Sequence, residues 1–402
     1  MKIGIVTQYY APEDARIPTD LARSLRERGH SVRVITAFPS YPRGRVFDGY
    51  RQSWHHVEDD SGVRVRRVPT FVSHSQNPIT RILTYLSFAS ASAVRWRELQ
   101  SADVIYVYAT QMTAAIGPAI WKAFGGPPFV LHVQDLWPES VTQSSLVPGA
   151  ISQLIDRSLT PWLQSLYRRA AGVIAIAPTM RELLVARGAR AVLSTVVPNW
   201  ANEGRQASRP ETEHGRTSVV YAGNFAPLQS LDLAIRAAAQ VVDLEGFRLT
   251  LVGSGVSEQA LRNLAAECGA SNVRILDRVP REEMDQIYAE SDYQLVTLQD
   301  LPIFRGTIPS KVQNSLNAGV PVITNVAGDV TSIVSDNQLG IVCLPGSTDS
   351  LVHAFRSAHT VSQEERALMG QRCHDYYDEH MSLAHGIDAI EAILKSSIPS
   401  EK

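Results

Sequence analysis

The chain contains few cysteines, and their spacing suggests neither a metal site nor a disulfide. Cys268, Cys343 and Cys373 are its only three cysteines, and they lie far apart along the sequence. No pair has the spacing of a metal motif, and nothing in their positions suggests a disulfide. We therefore expect no metal site and no disulfide framework, and a reducing, cytoplasmic compartment fits this composition.

Long hydrophobic runs and an excess of one charge are also missing. No apolar run approaches the roughly 20 residues that a membrane-spanning helix needs. The opening residues, Met1 to Thr7, form a short apolar run without a cleavage region, so they predict a strand rather than a signal sequence. The formal net charge of −2 argues against a dedicated nucleic-acid binder. No Gly-x-Gly-x-x-Gly follows the first strand, so a dinucleotide fingerprint is absent.

What the chain does have is a repeated alternation of apolar runs and helical segments. With 402 residues and 44% hydrophobic residues, it is long and apolar enough for two domains. Short apolar runs separated by helices predict the α/β class, with a doubly wound parallel sheet in each half. The predicted strands are Ile3–Thr7, Ser31–Thr36, Val104–Tyr108, Phe129–Val133, Gly172–Ile176, Ser218–Tyr221, Arg248–Val252, Val273–Leu276, Tyr293–Val296, Val320–Thr324 and Ile341–Cys343.

A polar stretch between the halves, rich in charge and without apolar periodicity, predicts a linker. We expect a first domain over residues 1–200, a linker over 201–216 and a second domain over 217–383. A helical stretch at 384–402 is expected to pack back on the first domain. Two such domains facing each other would form a cleft at the carboxyl ends of their strands, where ligands bind in doubly wound sheets.

One helix start in the second half has the composition of an anion site. Pro309 and Ser310 open the helix, Lys311 lies in its first turn, and Ala318-Gly-Val-Pro321 leads into a strand. Unpaired N–H groups and a partial positive charge at a helix start favour phosphate or diphosphate. An ordinary capped helix would explain the same residues. Its position late in the second half favours the phosphate interpretation.

Glycine turns follow two strands of the same half. Gly223 would let a ligand approach the backbone closely, and Asn224 and Gln229 offer neutral donors. Gly255 ends the next strand, and Arg278 follows a third, where it could contact a base. Each turn alone is a weak signal because βα turns need glycine anyway. Together they predict that a ligand binds along one edge of the sheet.

Polar residues also follow two strands of the first half. Asp135 could orient a hydroxyl group or stabilise positive charge on a sugar ring, or it could simply cap the next segment. His132 could be catalytic or be buried and hydrogen-bonded. After the first strand, Arg16 and the backbone amides near Ala15 could reach an anion, or Arg16 could be a solvated surface residue.

An apolar segment with arginines at its ends, Pro78–Arg97, has two interpretations. It could touch an anionic bilayer surface, or it could be a core helix of the first domain. We favour the core helix.

The whole chain resembles the retaining GT-B glycosyltransferases of family 4. It is most similar to bacterial members that build surface polysaccharides, including N-acetylfucosamine transferases. The resemblance depends on the order of short motifs across both halves. These motifs are Tyr9-Tyr-Ala-Pro-Glu13, Gly29–Thr36, Phe38–Pro42, Asp135–Ser140, Val197-Pro-Asn199, Ala222-Gly-Asn224, Gly253-Ser-Gly255 and Thr307–Lys311.

This resemblance implies two Rossmann-like domains facing a cleft, with a sugar nucleotide held mainly by the second. The diphosphate would meet Thr307, Ser310 and Lys311, and the base would lie near Arg278. It further implies transfer with retention from a nucleotide sugar, which we expect to be a UDP-sugar carrying an N-acetylated hexosamine. The acceptor would be a lipid-linked saccharide or another hydroxyl compound. No metal or cofactor is expected, and the enzyme would work in the cytoplasm, with possible peripheral contact at the inner face of the membrane.

The chain departs from the family pattern at charged positions. Asn314 and Gly306 stand where the family often has glutamates, and Asn224 and Gln229 stand where many members have an Arg and a Lys. An amide can still bind ribose hydroxyls, but more weakly than a carboxylate. These replacements place more of the diphosphate charge on Lys311, with Arg305 or Arg16 as the arginines that could help.

Two alternatives to a transferase remain open from the sequence. A nucleotide-sugar 2-epimerase has the same fold, and it would act on UDP-N-acetylglucosamine without an acceptor. A non-catalytic protein that binds sugar nucleotides is the other, and the missing glutamates are the feature that supports it.

Overall fold

The chain folds into two α/β units, each built on its own sheet. The structure, a computed structural model, describes residues 1–73, 78–139, 149–203 and 216–399. One unit comprises Met1–Pro198 together with Gly386–Lys402, and the other comprises Asn199–His385. Most of the expected linker, residues 201–216, lies outside the described residues.

The first unit contains an eight-stranded sheet in the order β3-β4-β2-β1-β5-β6-β7-β8. All its neighbouring strands pair in parallel except β3 and β4, which form an antiparallel hairpin. Because β1 lies between β2 and β5, the chain changes direction across the sheet at β1 and β5. The strands are β1 (Lys2–Thr7), β2 (Ser31–Ala37), β3 (Val57–Asp60), β4 (Val63–Val68), β5 (Val104–Ala109), β6 (Phe129–Val133), β7 (Gly172–Ala175) and β8 (Ser194–Val196).

Helices of the first unit cover its sheet through apolar faces. In the first helix, Ile17, Leu21 and Leu25 recur at helical spacing and are buried, and the helix stops before Gly29, whose φ is +85°. The described helices are α1 (Arg16–Glu27), α2 (Pro78–Ala93), α3 (Trp96–Leu99), α4 (Ile116–Ala123), α5 (Gly149–Arg169) and α6 (Pro178–Ala186), with short 3₁₀ turns at Met112–Ala115 and Ala191–Leu193.

Helix α2 is only partly a core helix. Phe88 is fully buried, but Ile82, Leu83 and Leu86 remain 41%, 47% and 45% exposed. The core interpretation therefore describes one face of the helix. Its other face presents a row of apolar side chains at the surface of the first unit.

The second unit contains a six-stranded, fully parallel sheet in the order β11-β10-β9-β12-β13-β14. Its core lies between the sheet and the helices, where Tyr221 and Leu249 of neighbouring strands share one cluster with Ala234 and Phe355. The strands are β9 (Thr217–Asn224), β10 (Phe247–Ser254), β11 (Val273–Leu276), β12 (Tyr293–Val296), β13 (Val322–Thr324) and β14 (Gly340–Val342).

The second unit is also rich in helices, and the last helix of the chain leads out of it. Among the described residues of both units, no helix is both long enough and apolar enough to cross a membrane. The helices are α7 (Leu231–Ala239), α8 (Glu258–Glu267), α9 (Arg281–Ala289), α10 (Ser310–Asn317), α11 (Asp329–Asp336), α12 (Thr348–Thr360), α13 (Gln363–His380) and α14 (Leu383–Ser396), with 3₁₀ turns at Pro227–Gln229 and Pro302–Gly306.

Most of helix α14 belongs to the first unit, and charged residues attach it there. Glu391 accepts hydrogen bonds from Arg28 Nη1 at 2.7 Å and pairs with His30 Nε2 at 2.9 Å. Lys395 of the same helix lies 2.5 Å from Glu391. Hydrogen bonds from Lys395, Arg28 and His30 lower the pKa of Glu391 to about 2. The Glu391 carboxylate is therefore charged at neutral pH, and its hydrogen bonds attach helix α14 to the first unit there.

A fully buried guanidinium organises the first unit near the end of β1. Arg67 on β4 donates to Glu58 at 2.8 Å and to the Ala37 carbonyl oxygen at 2.9 Å. It also donates to the Ala11 carbonyl oxygen, and it lies 5.0 Å from the centre of the Tyr50 ring. A buried charge is tolerated only when its donors are satisfied. Arg67 therefore links β3, β2 and the loop after β1 into one rigid set.

We expect Arg67→Met to destabilise the first unit by about 3 kcal/mol, because the buried carbonyl oxygens and Glu58 would lose their donor. The free energy of unfolding, measured in urea by circular dichroism, tests this. Arg64→Met is the matched control, since Arg64 lies on the same strand, is 56% exposed and approaches a carboxylate only to 3.9 Å. The control should change stability by less than about 0.5 kcal/mol; equal effects of the two substitutions would contradict the role of Arg67.

Candidate functional site

The second sheet places a crevice beside β9 and β12. These strands are neighbours, while β10 and β11 continue on one side and β13 and β14 on the other. Loops after adjacent strands diverge at such a point, so a ligand can reach the carboxyl ends of the strands. The two loops here are residues 225–230 and 297–309.

Lys311 in the first turn of α10 is a cation that has no carboxylate partner among the described residues. Its Nζ donates to Gln229 Oε1 at 2.7 Å and lies 4.8 Å from the centre of the Tyr221 ring. Within the described part of the chain, no carboxylate oxygen lies within 4.0 Å of this ammonium. Burial lowers the pKa of Lys311 to about 8. The ammonium is therefore poised to receive an anion that would replace its missing counter-charge.

The oxygen of Gln229 fixes the position of this ammonium. The Tyr221 hydroxyl lies 2.9 Å from Gln229 Oε1 and 2.8 Å from the Asn224 carbonyl oxygen, so its hydrogen can serve either acceptor. The backbone of Gln229 is held in turn, because Thr297 Oγ1 donates to its carbonyl oxygen at 2.6 Å. The Oε1 atom of Gln229 is thus a fixed acceptor for Lys311 and Tyr221.

Glycine is required along this edge because there is no room for side chains. A Cβ at Gly223, whose φ is +149°, would lie 2.8 Å from Lys311 Cε. A Cβ at Gly253 would lie 1.8 Å from the Gly223 carbonyl oxygen, and one at Gly255 would lie 2.4 Å from that of Phe225. The edge facing the crevice is therefore made of bare backbone, which a ligand can approach closely.

The start of α10 offers further donors beside Lys311. Pro309 precedes the helix and no side chain caps it, so its first N–H groups remain available. Ser310 is exposed at the first position, while the Thr307 hydroxyl donates to the Phe304 carbonyl oxygen at 3.1 Å. One turn on, the side-chain amide of Asn314 has no hydrogen-bond partner among the residues that the structure describes. This arrangement suits an anion with several oxygens.

Two arginines that could have added charge are placed elsewhere. Arg278 is exposed after β11, the edge strand, with β10 between it and β9. Arg305 is exposed and pairs with Asp300 at 3.2 Å. A contact between Arg278 and a base stays a prediction, and Lys311 remains the cation at the crevice.

In the first unit, Asp135 follows β6 and solvent reaches it. Many protein atoms nevertheless surround the carboxylate, and this partial desolvation raises its pKa to about 6, against the opposing effect of Arg81. A carboxylate with such a pKa is charged at neutral pH and gains a proton in mild acid. Asp135 can therefore accept a hydrogen bond from a hydroxyl group at neutral pH.

His132 lies inside the sheet. It is fully buried, its Nδ1 lies 2.5 Å from the Tyr106 hydroxyl, and its ring meets that of Tyr108 edge-on at 5.9 Å. Burial lowers the pKa of His132 to about 3, so the ring is neutral. The structure thus places His132 in the core, and its role as a catalytic group stays a prediction.

Both candidates in the first βα turn have partners within the turn. The Ala15 N–H donates to the Glu13 carbonyl oxygen at 2.7 Å. Arg16 lies 3.3 Å from the exposed carboxylate of Asp14. An anion at this turn would compete with Asp14 for Arg16.

Sequence reasoning missed the aromatic parts of both sites. Tyr221 lies two residues before the glycine turn, and a buried tyrosine needs a partner for its hydroxyl, which was an available signal. Arg81 and Tyr85 have the i, i+4 spacing of a helical pair, and their side chains meet at 3.3 Å. In the sequence, Tyr9 and Tyr41 are recognised only as parts of longer motifs, although their rings lie 5.4 Å apart.

Comparison with known proteins assigns both halves of the chain to family models. Residues 15–200 match the glycosyl transferase 4-like domain, and residues 204–373 match the glycosyl transferases group 1 model. The putative colanic acid biosynthesis glycosyl transferase WcaI of Escherichia coli K12 is 26% identical over 399 residues, which cover 92% of this chain and 96% of WcaI. A GDP-mannose-dependent alpha-mannosyltransferase of Mycobacterium tuberculosis is 22% identical over 92% of this chain and 91% of its own length.

Among solved structures, HepE of Anabaena in complex with UDP has a TM-score of 0.71 and 17% identity. The match covers 98% of this chain and 100% of HepE. At this level of identity the likeness concerns the fold alone.

Anion binding at the crevice should depend on pH through Lys311. The ammonium is protonated below its pKa of about 8 and loses its charge above it. We therefore expect the affinity for inorganic pyrophosphate to fall as the pH rises through about 8, and calorimetric titration across this range measures it. Pyrophosphate itself becomes more negative as the pH rises, so a fall in affinity must come from the protein.

Lys311→Met should bind pyrophosphate weakly at every pH. Arg248→Met, which removes an exposed charge from β10, should keep the wild-type profile. A wild-type affinity that does not fall above pH 8, or unchanged binding by Lys311→Met, would show that Lys311 does not hold the anion.

Proposed function

Because this chain belongs to the glycosyltransferases of the GT-B fold, with a 4-like domain followed by a group 1 domain, we propose that it transfers a sugar from a nucleotide diphosphate donor to an acceptor hydroxyl. The observation that carries the donor assignment is the Lys311 ammonium. It is partly buried, it is held by neutral groups, and it faces a backbone edge of glycines. A diphosphate supplies the charge that this site lacks.

The diphosphate lies between the turn at Gly223 and the start of α10. Lys311 and the N–H groups of the first helical turn bind its oxygens, and the Ser310 and Thr307 hydroxyls lie within the same turn or just before it. Negative charge grows on the diphosphate as the bond to the sugar breaks. Fixed donors at that position stabilise the leaving group, which lowers the barrier to transfer.

The nucleoside lies further along the same crevice. Asn314 binds the ribose hydroxyls through its side-chain amide, more weakly than a carboxylate would. UDP is the donor nucleotide, a choice that the complex of HepE with UDP supports, whereas the mycobacterial relative is named for GDP-mannose. The transferred sugar is an N-acetylated hexosamine.

Transfer proceeds with retention of configuration at the anomeric carbon. The bond from this carbon to the diphosphate oxygen breaks, and a bond to the acceptor oxygen forms on the same face of the sugar. The acceptor proton passes to the departing diphosphate. Asp135 orients the acceptor hydroxyl or stabilises positive charge on the sugar ring, and Lys311 with the helix start neutralises the diphosphate without a metal ion or cofactor.

The epimerase and non-catalytic alternatives are less well supported. Both curated relatives are named transferases, which does not favour a nucleotide-sugar 2-epimerase. The intact segment from Thr307 to Lys311, with its exposed helix start, argues against loss of donor binding.

Assembly of a surface polysaccharide is the proposed role, because WcaI is named for colanic acid biosynthesis. The acceptor is a saccharide on a lipid carrier, and the enzyme meets it at the inner face of the membrane. The exposed row Ile82, Leu83 and Leu86 on α2 contacts the bilayer, and Arg97, beyond the end of this helix, faces anionic head groups.

Donor binding should raise the melting temperature of the protein, because a ligand that binds only the folded state stabilises it. We expect a UDP-sugar to give the largest shift in a screen that also contains dTDP- and GDP-sugars. Lys311→Ala should lose both the shift and the transfer activity while remaining folded, and chelation with EDTA should leave wild-type turnover unchanged.

Matched glycine substitutions sharpen this test. The Cβ added by Gly223→Ala would lie 2.8 Å from Lys311 Cε, so this substitution should abolish the rise in melting temperature that the donor causes. Gly269→Ala is the control, since Gly269 also has a positive φ but its added Cβ would meet no atom within 4 Å. Wild-type activity in Lys311→Ala, or equal donor shifts in the two glycine variants, would contradict the proposed site.

Binding to vesicles tests the membrane contact. We expect the wild-type protein to sediment with phosphatidylglycerol-containing vesicles and less with pure phosphatidylcholine. Leu83→Asp with Leu86→Asp should release it, whereas Val192→Asp, at another exposed apolar position, should not. Unchanged sedimentation of the double variant would exclude this face of α2 as the contact.

A further inference from the structure

Side chains from four separate segments of the first unit gather around Asp135. Arg81 and Tyr85 come from α2, and Arg81 Nη2 lies 3.3 Å from the Tyr85 hydroxyl. The Tyr85 and Trp137 rings lie 5.9 Å apart. We call the following set the Asp135 cluster: Tyr9 and Tyr41 from the loops after β1 and β2, Arg81 and Tyr85 from α2, and Asp135 and Trp137 from the segment after β6.

These side chains share one electrostatic environment. Arg81 acts on the pKa values of both Asp135 and Tyr9, lowering each against the effect of burial. Tyr85 acts on Tyr9 in the opposite direction. The cluster therefore brings one cation, one carboxylate and several ring faces together at the carboxyl ends of β1 and β6.

The charged members of the cluster are open to a ligand. Arg81 and Asp135 are both exposed, and neither forms a salt bridge within 4.0 Å in residues 1–73, 78–139, 149–203 or 216–399. Tyr41 is 57% exposed. A surface arginine next to a carboxylate would usually pair with it. Here the guanidinium binds a tyrosine hydroxyl instead, and its other donors remain available.

Buried groups hold the two tyrosine loops in place. The buried carboxylate of Glu13 accepts hydrogen bonds from the Ser40 and Tyr41 N–H groups at 2.7 and 2.8 Å. The Thr7 hydroxyl donates to the Tyr9 carbonyl oxygen at 2.8 Å. The rings of Tyr9 and Tyr41 are thus positioned before a ligand arrives, which reduces the entropic cost of binding.

The residue types specify the chemistry of the ligand. Aromatic rings offer apolar faces on which the C–H face of a sugar ring can rest. A carboxylate accepts hydrogen bonds from sugar hydroxyls. An arginine without a counter-ion favours a phosphate, which it binds through two parallel hydrogen bonds. A neutral sugar would use the rings and Asp135 but would leave the charge of Arg81 without a counter-ion.

We propose that the Asp135 cluster is an acceptor subsite and that Arg81 recognises a phosphate group attached to the acceptor saccharide. This inference rests on the proposed function, since it takes the bound saccharide to be the acceptor. The phosphate could belong to a lipid diphosphate or to a free sugar phosphate, and Arg81 would bind either one.

Binding measured without any donor tests the subsite by itself. The probes are farnesyl diphosphate-linked N-acetylglucosamine, N-acetylglucosamine 1-phosphate and the neutral octyl N-acetylglucosaminide, titrated by calorimetry. We expect Arg81→Gln to weaken binding of the phosphate-bearing probes about tenfold, as loss of a charged hydrogen bond predicts. Affinity for the neutral glycoside should stay unchanged. Arg64→Gln, which removes an arginine that is 56% exposed on β4, should affect none of the three.

Two further variants separate recognition from structure. Tyr41→Ala should weaken all three probes, because it removes a face for the sugar ring. Tyr85→Phe removes only the hydroxyl that orients Arg81, so it should weaken the phosphate-bearing probes alone. Equal losses for all probes in Arg81→Gln, or no loss at all, would overturn the inference.

The outcomes also separate this inference from the proposed function. A selective effect of Arg81→Gln supports the phosphate subsite even if no nucleotide sugar shifts the melting temperature, a result that would reject only the donor assignment. A donor shift without any selective effect rejects only the subsite. Selective binding of the farnesyl probe alone identifies the lipid carrier as the source of the phosphate, whereas binding of both phosphate probes shows that the phosphate ester suffices.

Discussion

The ammonium of Lys311 is held by a neutral amide oxygen and an aromatic ring, and the other features of the second unit's crevice follow from this. Its partial desolvation costs free energy that no carboxylate in the described part of the chain offsets, and binding of an anion would offset this cost. Gln229 and Tyr221 fix its position, and Gly223 leaves room for its side chain. Under the proposed function, this single cation would serve the diphosphate.

In the first unit, buried charged groups hold the loops in place. Two of its charged groups, Arg67 and Glu13, are buried with their hydrogen-bonding partners satisfied. These networks connect loops that follow different strands, so the loops keep their shape without a bound ligand. The exposed charges nearby, Arg81 and Asp135, are left without salt bridges among the described residues, and they remain available for binding. The buried charges thus organise the unit, and the exposed ones are those we propose to recognise the acceptor.

The sequence predicted best what depends on local pattern. The apolar run Phe129–Val133 became β6 with the same bounds, and the start of α10 at Ser310 followed from its Pro-Ser-Lys signature. The hairpin of β3 and β4 was missed because arginines alternate along Val63–Val68, and a buried guanidinium cannot be inferred from its neighbours in sequence. The Tyr221 contact with Lys311 joins residues that are far apart in the chain, so no local periodicity could reveal it.

Strands β9 and β10 remain paired as far as Gly223 with Gly253 and Asn224 with Ser254, up to the crevice itself. The surface at Gly223 and Gly253 therefore consists of main-chain atoms. Substitution of Gly223 or Gly253 can only disturb this surface, because an added Cβ would lie 2.8 Å from Lys311 Cε or 1.8 Å from the Gly223 carbonyl oxygen. The Asp135 cluster draws its side chains from four independent segments, so it can change one residue at a time. A chain built in this way could acquire new acceptors by mutation far more readily than new donors.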